Sequence, residues 1–479
     1  MWIATVANID WPSRPGMSTG EQQQEIRQIV ATGKRLRMNA LILQVRPGAD
    51  ALYASALEPW TEYLSGEQGR PPEPLYDPLA MWISEAHASG LELHAWFNPF
   101  RARHAAAKSL PAADHITNTH PHVAKTYGEQ YWMDPGEPDA AQRLLDVIGD
   151  VLRRYDVDGV HIDDYFYPYP VKLASDQPEI DFPDEPSWQR YLITGGKLGH
   201  ADWRRNNIDR LVQTMHAAIH SEKPWVKFGI SPFGLGRPDR RPDGITGFSQ
   251  YDKLYADVEH WLQEGWLDYL APQLYWPIAQ AAQSFPALLA YWSRANSKGR
   301  HLWPGLFTSK IDESAASWQP DEVRAQINLL RRDAGAESRA GGHIHFSAIA
   351  LTQNRKGIAD LLERDVYPTD ALVPATPWLR PLDVPLPSAP LAVLRCANPS
   401  DTHAQDICIV EVKDAPRGAI SILAIWAKYG AHWKFTTASA SAGAIRLPAR
   451  ANTGSLEQIV ISAIDRYGVE GVRTTFVRP

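Results

Sequence analysis

Cysteine is scarce in this chain of 479 residues: only two occur, Cys396 and Cys408, both near the C-terminus. That excludes a disulfide-built scaffold and any Cys-rich metal module. The pair leaves open one local bridge in an oxidising compartment or two buried free thiols. A run of about 18 apolar residues is also lacking, so no membrane-spanning helix is expected. No Lys/Arg-rich stretch occurs, and 48 Lys plus Arg stand against 55 Asp plus Glu, a net charge of −7. Without a positive stripe to track phosphates, nucleic acid is not the expected partner. H-E-x-x-H is missing, and the H-x-H of His343 and His345 supplies at most half of a metal site, so neither a metal nor another cofactor is expected.

What is present fits a large soluble fold. Hydrophobic residues make up 44% and charged residues 22%, enough for a sizeable core. Tryptophan is the unusual feature, at 18 residues against 12 Phe. An indole offers a flat apolar face with a polar edge, which suits the C–H faces of sugar rings, although many of these rings belong in the core.

Short apolar runs alternate with amphipathic stretches to about residue 370, the rhythm of repeated βα units with a parallel sheet. Strands are expected at 2–9, 40–45, 91–97, 158–163, 226–231, 267–275, 301–307 and 342–350. Helices are expected at 18–37, 77–89, 139–155, 202–221, 252–264, 284–298, 320–335 and 354–364. Eight such units close a (β/α)8 TIM barrel over residues 1–370. Four long connections, about 46–76, 99–138, 164–201 and 232–250, all follow strands and gather at the C-terminal face, where they build a cleft. Residues 371–388 are Pro-rich and read as a linker. Strand-like runs at 8 to 14 residue spacing then indicate a fibronectin type III-like β-sandwich at 389–479, with no chemistry of its own.

The strongest local signal is DVDGVHIDDYFYPYP, residues 156–170. Its strand ends on Asp163 and Asp164 at the barrel mouth, beside Tyr165, Phe166, Tyr167 and Tyr169. Glycosidic cleavage needs an acid for the leaving oxygen and a negative group facing an oxocarbenium-like transition state. Aromatic desolvation and a like charge raise one carboxyl pKa toward the acid role. Side chains alternate along a strand, so the two carboxylates cannot both follow the barrel interior. Asp164, further into the aromatic loop, is the expected proton donor, and Asp163 the charge-bearing or orienting partner. A structural pair, one capping and one solvated, is the plainer alternative. Polar and aromatic residues at other strand ends supply the expected substrate shell: Asn8, Asp10, Gln44, Arg46, Trp96, Asn98, Arg101, Tyr165, Tyr167, Ser231, Phe233, Gln273, Tyr275, Trp276 and His345. Amides and guanidinium groups there suit sugar hydroxyls and carboxylates.

WIATVANIDWPS, ILQVRPGADALY, HAWFNPFR, DGVHIDDYFYPYP, GISPFG and LDYLAPQLYW, in this order, resemble the glycosyl-hydrolase-like family ten proteins over residues 1 to about 370. That family is similar to the barrel of division-associated enzymes that digest denuded peptidoglycan strands. More distantly it is similar to hydrolase domains that process exported poly-β-1,6-N-acetylglucosamine. The resemblance implies a glycoside hydrolase acting on a polysaccharide or oligosaccharide with N-acetylhexosamine. Aligning the chitinase D-G-x-D-x-D-x-E on Asp158 and Gly159 puts Tyr165 where that family has its glutamate, so this is not a chitinase of that type. The other reading is a non-catalytic glycan-binding protein on a barrel scaffold. A deacetylase, which also uses an Asp pair, ranks below both, as no H-x-x-x-H metal signature is expected to accompany the pair. The chain starts inside the family's usual lead into the first strand. The expected location is therefore periplasmic or secreted, with the export signal upstream of this sequence, and a cytoplasmic one is the alternative.

Overall fold

The computed structural model describes residues 1–172, 174–333, 341–396, 407–414 and 420–478. It divides into two compact units: Met1–Ile29, Ile42–Trp82 and His94–Ala359 in one, and Val30–Leu41, Ile83–Leu93 and Asp360–Pro479 in the other. No helix among the described residues is long and apolar enough to cross a membrane.

The first unit is built on a curled parallel sheet. Seven strands pair in chain order: β1 (Trp2–Ile3), β2 (Ala40–Arg46), β3 (Glu92–Phe97), β4 (Gly159–Ile162), β5 (Lys227–Ile230), β6 (Tyr269–Leu270) and β7 (His301–Leu302). β8 (Gly305–Leu306) and β9 (Ile344–His345) form a further parallel pair, reached through bridges from Phe233 to Gln273 and from Gln273 to Gly305. Apolar runs buried on both faces produce such strands, because crossover helices cover the outside. Those helices are α1 (Thr19–Arg35), α2 (Pro78–Ala88), α3 (Pro138–Arg154), α4 (Glu185–Ile193), α5 (His200–Glu222), α6 (Val258–Glu264), α7 (Phe285–Ala295) and α8 (Pro320–Asp333).

Four strands are clearly shorter than the sequence suggests: among them, the expected 267–275 run keeps only Tyr269–Leu270, and the expected 301–307 run divides into His301–Leu302 and Gly305–Leu306. The expected 2–9 run keeps only Trp2–Ile3, because Ala7 and Asn8 turn into left-handed backbone (φ 52 and 57) while Gln44 Oε1 accepts the amides of Thr5 and Val6. The expected 342–350 run keeps Ile344–His345, and Ala348–Thr352 coils into a short helix. Asp10 joins these two ends. Its carboxylate accepts Ala4 N at 2.7 Å, Ser347 Oγ at 2.8 Å and Ile349 N at 2.7 Å. The sheet therefore curls until its first and last elements meet.

Large rings fill the interior, and glycines make room for them. A Cβ on Gly229 would lie 1.8 Å from the Tyr269 ring, and one on Gly159 would lie 2.5 Å from the His94 ring. Tyr269 O–H sits 2.9 Å from His94 Nδ1 and 3.0 Å from His161 Nδ1, and the Trp2 indole N–H donates to His161 Nε2 at 3.2 Å. An indole can only donate, so His161 carries its proton on Nδ1. This polar aromatic layer is the floor beneath the strand ends.

The second unit is β-rich at its C-terminal end. One antiparallel sheet holds Leu391–Cys396, Ile407–Asp414 and Ala444–Pro448; the other is centred on Ile420–Tyr429 and Gly454–Asp465. Cys408, Val410, Ile445 and Leu447 from the first share one apolar cluster with Leu423, Ile425, Ile459 and Ile461 from the second. Cys396 and Cys408, paired across adjacent strands, form a disulfide. The Pro-rich stretch, expected as a linker, lies along this β-rich part: Thr376 N donates to Tyr467 O at 2.8 Å, and Val472 N to Pro387 O at 3.1 Å.

Candidate active site

Strand parity decides which residues converge. His94, Trp96 and Asn98 alternate onto one face of β3 and its extension, and His161 and Asp163 onto the matching face of β4. Trp96 pairs with His161 in the sheet register. The indole N–H of Trp96 reaches forward to Asp163 Oδ2 at 3.0 Å, and Asn98 Nδ2 lies 3.2 Å from each oxygen of the same carboxylate. Asp164 is out of parity. It reaches the site because β4 ends at Ile162, and it is held by the Tyr169 hydroxyl, which donates to Oδ2, and by Gln273. The two aspartates are 3% and 4% exposed, at the C-terminal end of the sheet.

Burial of this depth penalises the charged forms. It lifts the Asp163 carboxyl to about 7; Arg101 pulls back, the charge of Asp164 adds to the rise, and the Trp96 and Asn98 bonds oppose it. Burial also raises Asp164, with Tyr169 and Gln273 as the main opposing contacts. Both carboxyls are thus raised, Asp163 to about 7, whereas the sequence pointed to Asp164 as the acid. The Tyr169 hydroxyl, five residues along the chain, is what favours the Asp164 anion.

Arg101 is buried beside the pair, its guanidinium carbon 4.2 Å from the centre of the Tyr165 ring and 5.8 Å from that of Trp132. Nη1 donates to Pro47 O at 3.2 Å, while Nε has no hydrogen-bond partner among the described residues. Ser231 Oγ faces His161 Nε2 at 2.9 Å, and its carbonyl accepts Gln273 Nε2 at 2.9 Å. Around the pair stand half-buried rings: Phe233 against Trp276 and Phe248, Phe248 stacked on Tyr169, and Tyr275 stacked on Phe307 beside Phe346. Phe248, Phe307 and Phe346 are absent from the expected shell.

Other expected residues lie elsewhere. Arg46 is wholly buried, bound through Nε and Nη2 to Glu58 at 2.8 and 2.6 Å and through Nη1 to Asn98 O at 2.6 Å. It braces Asn98 from below and presents nothing to a ligand. Gln44 and Asp10 are likewise committed to backbone amides, as described above, and Asn8 Nδ2 donates to the carbonyls of Pro12 and Tyr63 at 2.8 and 2.9 Å. Tyr167 packs in the core against Phe182 and Tyr255, because β4 ends at Ile162 and strand alternation no longer holds in the aromatic run. His345 is buried with Nδ1 2.7 Å from Thr308 Oγ1. An H-x-x-x-H, expected to be missing, does occur: His216 to His220 on α5, away from the pair.

The chain matches the family model described as Glycosyl hydrolase-like 10 over residues 1–323. It is 42% identical over 391 residues to Glycosyl hydrolase YngK of Bacillus subtilis (strain 168), which covers 79% of this chain and 73% of that protein. It is 33% identical over 360 residues to Glycosyl hydrolase DigH of Escherichia coli (strain K12), covering 69% and 79%. Among solved structures it is similar in fold to the catalytic domain of beta-amylase from Paenibacillus polymyxa, at TM-score 0.50 and 10% identity, over 72% of this chain and 94% of that one.

Proposed function

This chain belongs to the glycosyl hydrolase-like 10 family, and on that premise we propose that it hydrolyses glycosidic bonds in a bacterial glycan containing N-acetylhexosamine, such as denuded peptidoglycan strands. The observation that carries this reading is the Asp163–Asp164 pair at the end of β4, buried among aromatic rings that match sugar faces. Asp163, whose carboxyl is lifted to about 7, holds a proton near neutral pH and delivers it to the leaving glycosidic oxygen. Asp164, held as the anion by Tyr169 and Gln273, faces the positive charge that develops at the anomeric carbon. Arg101 balances the pair. The disulfide between Cys396 and Cys408 suits an oxidising compartment, so the reading includes an extracytoplasmic location. It also takes residues 389–479 as a fibronectin type III-like spacer, joined through 371–388 to a barrel at 1–370.

The test is incubation with denuded glycan strands and assay of new reducing ends. The wild type is expected to release them; Asp163→Asn is expected to lose about 10² to 10⁴ in rate on the polymer and to retain more on an aryl glycoside, whose leaving oxygen needs little protonation. Asp164→Asn is expected to damage both substrates alike. Retardation of strands without new ends would leave a glycan-binding protein instead, and acetate release would leave a deacetylase.

A further inference from the structure

Among the described residues, one cluster of metal-ligating side chains lies outside the mouth of the sheet: His216, His220 and Asp268, whose ligand atoms all lie within 4.8 Å of one another. The histidines are four apart on α5, so one turn of helix brings both imidazoles to the same face. Their ring centroids are 4.4 Å apart, edge to face. Asp268 immediately precedes β6 and therefore sits at the N-terminal end of the sheet, opposite Asp163. It is wholly buried, and its Oδ2 accepts Phe228 N at 2.7 Å and faces His220 Nε2 at 3.0 Å. Both histidines are half-buried, which leaves the cluster open to solvent on one side.

We propose that His216, His220 and Asp268 bind a zinc ion that clips α5 to the start of β6. Two imidazole nitrogens and one carboxylate oxygen suit a borderline transition ion; calcium and magnesium take oxygen shells. Three protein ligands leave a fourth tetrahedral position, which water fills from the exposed side. With zinc bonds of about 2.0 to 2.2 Å, tetrahedral donors stand about 3.3 Å apart. The His220–Asp268 spacing already meets that, and rotation of the half-buried His216 ring closes the rest. The Phe228 amide orients the Asp268 carboxylate, the kind of outer contact that fixes metal ligands. Arg300 acts electrostatically on both His216 and Asp268, so its charge opposes the ion and weakens its hold. The N-terminal end of such a sheet is where stability, not chemistry, is built.

The experiment titrates chelator-treated, desalted full-length protein with zinc sulfate by calorimetry and follows thermal melts with and without metal. One ion per chain is expected, with Tm raised by about 2 to 6 °C at a hundredfold excess over Kd. His216→Ala leaves the His220–Asp268 contact in place and is expected to bind at least tenfold more weakly, with the Tm rise lost and the metal-free melt unchanged. His216→Asn, similar in size and polarity, gives the same result if the alanine variant melts early. Failure of the wild type to bind one equivalent, or undiminished binding in both variants, overturns the proposal.

Discussion

The indole of Trp96 donates a hydrogen bond to Asp163 across the β3–β4 pairing, 3.0 Å from nitrogen to Oδ2. A donor aimed at a carboxylate favours its anion, so this contact holds down a carboxyl that burial would push higher. In Trp96→Phe the ring remains and the donor is gone. The alkaline limb of the pH–rate profile is then expected to move up by about half a unit to one unit. An unmoved limb would mean that Asp163 does not set it.

For the wild type, a bell-shaped dependence of kcat/KM on pH is expected. Activity falls as pH rises through about 7, where Asp163 loses its proton, and falls at low pH as Asp164 gains one above the ordinary aspartate range. Asp163→Asn removes the alkaline limb from the residual activity on an aryl glycoside. Persistence of that limb in the variant counts against Asp163 as the acid.

The same burial has a stability cost, and its sign is fixed by proton counts. Between the unfolded value near 3.8 and about 7, the folded chain binds more protons at Asp163 than the unfolded one, so stability falls as pH rises across that window. Asp163→Asn is therefore expected to raise Tm at pH 8, by the equivalent of about 1 to 4 kcal/mol, and to change it little below pH 4. Denaturation at both pH values reads this directly, and a destabilised variant at pH 8 would falsify it.

Glu58→Gln leaves the Arg46 guanidinium buried without its counter-charge. A loss of about 3 to 5 kcal/mol is expected, together with weakened turnover, because Arg46 also holds the carbonyl of Asn98. Denaturant unfolding and steady-state rates separate the two effects. If stability drops while the pH profile and KM hold, Arg46 does not position Asn98 for the site.

Gly229→Ala puts a methyl group inside the Tyr269 ring, so it is expected to destabilise by at least 1 to 3 kcal/mol, roughly the cost of overpacking. Tyr269→Leu in the same chain should return part of that loss, measured as a double-mutant cycle.

The ends of β2 to β5 are legible in the sequence because uniform apolar runs leave little choice of period. Asp163 and Asp164 are legible for the same reason: Asp163 ends the run DGVHID and Asp164 follows it. What hides is anything made by meeting in space. Glu58 sits in a stretch expected to line a cleft, yet it exists to neutralise Arg46. Phe248, Phe307 and Phe346 come from three separate connections and share a wall only when the sheet curls. Parity in the run Tyr165 to Tyr169 is lost once the strand ends, so Tyr167 turns to the core while Tyr169 turns to Asp164. The second unit also takes Val30–Leu41 and Ile83–Leu93 with it, a boundary that no linear shift in composition marks.

The carboxylate of Asp10 holds Ser347, 337 residues away. During synthesis the first strand therefore emerges long before the residue that fastens it, by roughly 20 to 70 s at usual elongation rates. Throughout that interval Asp10 lacks the Ser347 hydroxyl and the Ile349 amide that its carboxylate accepts in the folded chain. Circular permutation near Asp10 shortens that delay, and the change in folding yield measures how much the delay governs.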